Sequence, residues 1–186
     1  MNRKLEGPIA RDSSSGFDFL DGMNPRLLSN NLLIPYMIAV WEEFFQAMFA
    51  ACLRYSKQRE SALKRAKLSH SDLEKLAIGS VQVERSIADF FSFQRPSAIA
   101  ETFRLLDPKL NLSTPLRKPY RRRRVSLYDS IESLVERRNE LVHAGNLDLR
   151  LFDKQLETTM GDLTEAVNRA YDYIAKHYGF VPIHDY

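Results

Sequence analysis

The stretch Arg138-Asn139-Glu140-Leu141-Val142-His143 holds a permanent cation, an amide and an imidazole within six residues. An imidazole is the side chain best placed to exchange protons near neutral pH. A guanidinium is always charged and matches the oxygens of a phosphate or carboxylate. Asn139 and His143 stand at i, i+4 and share a helix face, so Asn139 is positioned to orient the ring or to hold an anionic oxygen. The chemistry these types suit is proton transfer beside a developing negative charge.

The position of Arg138 adds to this. Leu127, Ile131, Leu134, Leu141 and Val142 recur as one helical stripe, and at roughly 100° per residue all lie within about 60° of the Arg138 direction. Burying an unpaired charge in such a stripe costs several kcal/mol. Two structural roles compete with a functional one. Arg138 can snorkel and pair with a core carboxylate such as Glu43, and His143 can satisfy carbonyls at a helix end. Geometry constrains the functional role, because Arg138 and His143 project about 140° apart on a regular helix. Either the helix loosens at Val142–Gly145, or two protomers each supply one group.

The elements that must position these residues are helical. A long helix is predicted over about Leu27–Ser56, adjusted at Pro35 and buried on most sides, since only Glu42, Glu43 and Gln46 are overtly polar between Tyr36 and Leu53. A short helix is expected at Ser61–Lys67. Ser71-Asp72-Leu73-Glu74 reads as a capping box opening a helix that continues to about Phe91 with Gly79 inside it. Pro96 opens a helix to Leu106, and Asp107-Pro108 stops it. Residues 107–125, with three prolines and an arginine run, read as a loop. Ser126-Leu127-Tyr128-Asp129 starts the helix carrying Arg138, which His143-Ala144-Gly145-Asn146 ends. A last helix is predicted over Leu151–Tyr178. No period-two alternation or internal repeat is visible, so the class is all-α, with an irregular arm at 1–26 and one domain over 27–186.

Composition narrows the function. One cysteine, Cys52, excludes an internal disulfide and fits a reducing compartment, with cytoplasmic location the expectation. Among Phe49, Ala51 and Leu53 it reads as a small core hydrophobe. Segment 32–53 would gain about 3–5 kcal/mol from nine Leu, Ile, Val and Phe residues on insertion into a membrane. Glu42 and Glu43 would each cost about 2.5–3.5 kcal/mol there, so a core helix is expected instead. His70, His177 and His184 show no ligand spacing, and no cluster suggests a metal. The net charge of +3 conceals +6 within eight residues (Arg117, Lys118, Arg121, Arg122, Arg123, Arg124), so the rest sums to −3. Such a cluster suggests a polyanionic partner.

Arg138-Asn139-Glu140-Leu141-Val142-His143, followed by Ala144-Gly145, resembles the HEPN superfamily, whose mark is an arginine, a polar residue directly after it, and a histidine after four to six others. Val40-Trp41-Glu42-Glu43-Phe44-Phe45 is similar to the first helix of bacterial HEPN domains, particularly the RiboL-PSP-HEPN type. The resemblance covers about residues 27–178. It implies a helical bundle of four to five main helices and a metal-independent endoribonuclease acting as a homodimer with a composite site, often in toxin–antitoxin or antiphage systems. Gly145 stands where HEPN toxins silenced by adenylylation carry a tyrosine, which argues against an antitoxin of that kind. On this reading the RNA 2′-OH is the nucleophile, His143 the base, Arg138 the phosphate cation and Asn139 their companion. Glu43 would support Arg138. Arg117, Lys118, Tyr120 and Arg121–Arg124 would hold RNA, with Tyr120 stacking on a base. No cofactor is implied. The alternative is a non-catalytic helical module that binds RNA, nucleotide or a partner protein through the arginine loop.

Overall fold

A computed structural model describes residues 24–121 and 123–183; most of the expected N-terminal arm, Arg122 and His184 lie outside them. Among the described residues there are eight helices and no strand. Three long ones dominate: α1 (Pro25–Tyr55), α7 (Leu127–Ala144) and α8 (Asp153–Tyr178). Between them lie α2 (Arg59–Arg65), α3 (His70–Ala77), α4 (Val83–Asp89), α5 (Pro96–Phe103) and α6 (Ser113–Leu116). Helix α1 packs on α4, α7 and α8, and α7 packs on α8.

The start of α1 is set by Asn24, whose side chain accepts from the Arg26 amide, with Pro25 at the first helical position. Its buried residues Leu27, Ile34, Ile38, Trp41, Phe45, Phe49 and Leu53 recur at spacings of three, four or seven and form one face. The expectation of burial on most sides is wrong. Tyr36 is 70% and Val40 72% exposed on the other side, because α4, α7 and α8 cover only the inner face. By length and composition α1 also suffices to cross a membrane, yet its inner face is the centre of the core. There Phe49 meets Phe91, Phe93 and Phe103 at 5.5 Å between ring centroids, edge-on or tilted pairs contributing about 0.5–1.5 kcal/mol each beyond burial. The Trp41 indole N–H donates to the Gln94 carbonyl at 3.1 Å. Cys52 is buried, and desolvation pushes its thiol up to about 12.

The single helix expected from Ser71 to Phe91 is instead α3 and α4. The cap is Ser69, not Ser71: its hydroxyl accepts from the Asp72 amide, and Asp72 accepts from the Ser69 amide. Gly79 does not lie inside a helix. Its φ of 70° reverses the chain, and the Ser80 amide bonds back to the Lys75 carbonyl at 3.0 Å, a Schellman stop.

Segment 107–125 is not a free loop either. It contains α6, and Leu110, Leu112, Leu116 and Tyr120 are buried in the main core. Apolar side chains at those four positions outweigh the local prolines. Helix α7 begins at Ser126, whose hydroxyl accepts from the Asp129 amide at 3.2 Å. It ends where Gly145 takes a φ of 66°. Its inner face is Leu127, Ile131, Leu134 and Val135. The last two join Ile34, Ile38 and Leu151 in a smaller apolar cluster at one end of the bundle.

Candidate functional site

Helix α7 carries Arg138, Asn139 and His143 on its last two turns, just past the point where its buried stripe ends at Val135. Arg138 and Asn139 are half-buried, Val142 and His143 exposed. Arg138 therefore sits at the edge of the core rather than inside it. Its Nη1 donates to Asn139 Oδ1 at 3.0 Å, so Asn139 holds the guanidinium, and no bond joins it to His143. The helix stays regular through Ala144. That excludes loosening at Val142–Gly145, and within one chain Arg138 and His143 keep their divergent directions.

Glu43 does not support Arg138. It accepts from Arg85 Nη1 and Nη2 at 2.9 and 2.8 Å, and these hydrogen bonds hold its carboxyl below the usual range. Arg85 on α4 is closer to that side of α1, which faces away from α7. Arg138 is left distinctive: among the half-buried arginines of the described residues, Arg59, Arg85, Arg95, Arg137 and Arg169 each pair with a carboxylate, and Arg138 does not.

The segment after the motif is held by two buried asparagines that sequence reasoning missed. Asn31 of α1 donates from Nδ2 to the Leu27 and Asp148 carbonyls at 2.9 and 3.1 Å. Its Oδ1 accepts from the Asp148 amide at 2.8 Å. Asn30 donates to the Leu151 carbonyl at 3.0 Å and to Asp153 Oδ1 at 3.1 Å. The signal was legible: both occupy core positions between Leu27 and Ile34, where an amide must be pairing with backbone.

The arginine cluster is braced, not loose. The Arg117 guanidinium lies 3.7 Å from the centre of the Tyr128 ring and 3.8 Å from Asp129. Arg169 reaches the Lys118 and Pro119 carbonyls at 3.1 and 3.3 Å. Arg123 pairs with Asp162, which is 2% exposed and also accepts from the Ser130 hydroxyl at 2.7 Å. Tyr120 is buried, so it cannot stack on a base as expected; the guanidinium groups of Arg121 and Arg169 approach its ring at 4.9 and 5.2 Å instead. Lys118, Arg121 and Arg124 are exposed, Arg121 with a left-handed φ of 48°. Among the described residues no group of three His, Cys, Asp or Glu side chains could hold a metal. No family model, curated protein or solved structure matches the chain.

Proposed function

We propose that this protein is a metal-independent endoribonuclease of the HEPN type that works as a homodimer, its site composed of His143 from one subunit and Arg138 from the other. The observation that carries the reading is Arg138, the half-buried arginine without a carboxylate among the described residues, five residues before an exposed imidazole on an unbroken helix. A phosphate diester supplies the missing negative charge. His143 takes the 2′-OH proton, the 2′ oxygen attacks phosphorus, and the 5′ oxygen leaves, taking a proton from water. The products are a 2′,3′-cyclic phosphate and a 5′-hydroxyl end. Arg138 stabilises the charge that grows on the phosphate, and Asn139 keeps the guanidinium aimed.

A dimer is required because the two groups diverge on one helix. Exposed Leu32, Val142, Leu149 and Phe152 provide apolar surface at that end of the bundle. The cellular setting proposed is cytoplasmic, with an antitoxin or a defence-system protein restraining the activity. A second reading, a non-catalytic RNA-binding module, draws support from the exposed Lys118, Arg121 and Arg124.

The test is incubation of the purified protein with total RNA in EDTA and mapping of the product ends. His143→Ala and Arg138→Ala should each reduce cleavage by about 10²–10⁴-fold, the range of a general base or a charge stabiliser. Mixing the two inactive variants should restore about a quarter of the wild-type rate, since half of randomly paired dimers contain one intact composite site. Cleavage unaffected by both substitutions sinks the nuclease reading. Active wild type with no rescue on mixing sinks the composite site alone.

A further inference from the structure

A second feature of α7 and α8 lies off the motif. On α8, Gln155, Thr158, Thr159 and Asp162 follow the i, i+3, i+4, i+7 pattern, a polar stripe along one face. On α7, Ser130 and Arg137 are seven apart and nearly eclipsed. These stripes face each other across a cavity of about 600 Å³, closed at one end by the segment carrying Asp148 and Arg150. His143 projects about 120° from Arg137, so this cavity and the Arg138–His143 motif lie on different sides of α7.

The charge of the cavity is one-sided. Arg123, Arg137, Arg150 and Lys154 line it against Asp148 and Asp162, a net of +2. Both carboxylates are already committed: Asp162 to Arg123 and Ser130, and Asp148 to Arg137 at 3.3 Å and to the Arg150 amide at 2.9 Å. The threonine hydroxyls are spent on carbonyls of their own helix at 2.8 Å. Arg150 and Lys154 have no ion-pair partner among the described residues, and both are exposed. The paired acids hold Arg123 and Arg137 in place as a fixed cationic wall, leaving Arg150 and Lys154 as the groups available to a ligand.

The lining also says what the ligand is. It has no aromatic ring on which bases could stack, unlike the platforms that hold single strands. Its lining is mostly polar and offers little apolar surface for the ring of a drug-like molecule. Its volume lies within the range of small-molecule sites. We infer that this cavity between α7 and α8 binds a compact phosphate-bearing anion, the phosphates clamped by Arg150 and Lys154 against Arg137 and Arg123. An effector or a nucleotide presenting its phosphates first would meet that requirement. The site is independent of the nuclease reading.

The experiment uses the full-length protein and pyrophosphate as the probe, by calorimetric titration and thermal melting at about 0.15 M salt, where diffuse surface attraction is screened. The wild type should bind one pyrophosphate per chain saturably and melt at a higher temperature in its presence. Arg150→Ser/Lys154→Ser should melt like the wild type without ligand, since both side chains are exposed, and should bind at least tenfold more weakly. His143→Ala should bind pyrophosphate as the wild type does. No saturable binding by the wild type overturns the inference, as does equal affinity in the double variant. A uridine oligonucleotide that needs Arg150 and Lys154 while pyrophosphate fails to bind also overturns it, because the cavity would then be part of a strand path.

Discussion

Replacing Asn31 by alanine tests how the motif helix is tied to the rest of the bundle. Asn31 is 1% exposed and bonds three backbone groups: the Leu27 carbonyl and both the amide and the carbonyl of Asp148. Alanine removes all three partners. Each lost bond removes about 0.5–1.5 kcal/mol, and a buried group left unpaired costs about 1–3 kcal/mol. Asp148 is only half-buried, so water can reach part of what is freed. A loss of about 2–3 kcal/mol follows, or about 4–12 °C in Tm for a chain of this size. Asn31→Asp should be at least as damaging, because it keeps an acceptor for the Asp148 amide but buries a carboxylate with too few donors. Urea and thermal unfolding give the magnitude. Amide hydrogen exchange at Asp148 gives the cause, and its protection should fall in the variant by more than global destabilisation accounts for. A Tm loss under about 1 °C, or unchanged protection at Asp148, would refute the pinning role.

Two further perturbations bear on stability. Asp162→Ala should destabilise by about 2–3 kcal/mol in urea unfolding, below the usual 3–5 for a broken buried pair because the Arg123 side chain is 34% exposed and can be hydrated; a variant within about 0.5 kcal/mol of wild type counts against the anchoring of segment 117–124 through Asp162. The Asp107 carboxyl is held below its ordinary value first by the Lys109 amide and then by His177 at 3.0 Å, against burial. A depressed carboxyl contributes stability above its unfolded pKa of about 3.9, which is lost as pH falls through the folded value. Tm should therefore fall from about pH 5 toward pH 3, and less steeply in Asp107→Asn; identical slopes would remove Asp107 as a cause.

What could be read from the residues beforehand was whatever depended on local rules. The cap at Ser126, the stop at Gly145, the proline start at Pro96 and the 3.6-residue spacing of α1 each act within a turn or two, and each is found where those rules place it. The misreadings have a common cause. Ser69 and Ser71 are both good caps, and only the fit of Asp72 three residues on from Ser69 decides between them. Segment 107–125 has the composition of a loop, yet Leu110, Leu112, Leu116 and Tyr120 meet Phe45 and Phe49 from far along the chain in one core.

Glu43 shows the same limit for charge. Sequence offers Glu43 to Arg138 as an acid on a mostly apolar helix, whereas nearness to α4 decides its partner, and Arg85 claims it with two bonds. That exchange of partners strengthens the case for Arg138. A guanidinium that is half-buried, one turn beyond Leu134 and Val135, has Asn139 as its hydrogen-bond partner among the described residues. An amide dipole compensates a full charge poorly in a partly desolvated place. The proposed role of Arg138 as the phosphate cation rests on that imbalance, which a structural arginine packed against Glu43 would not have.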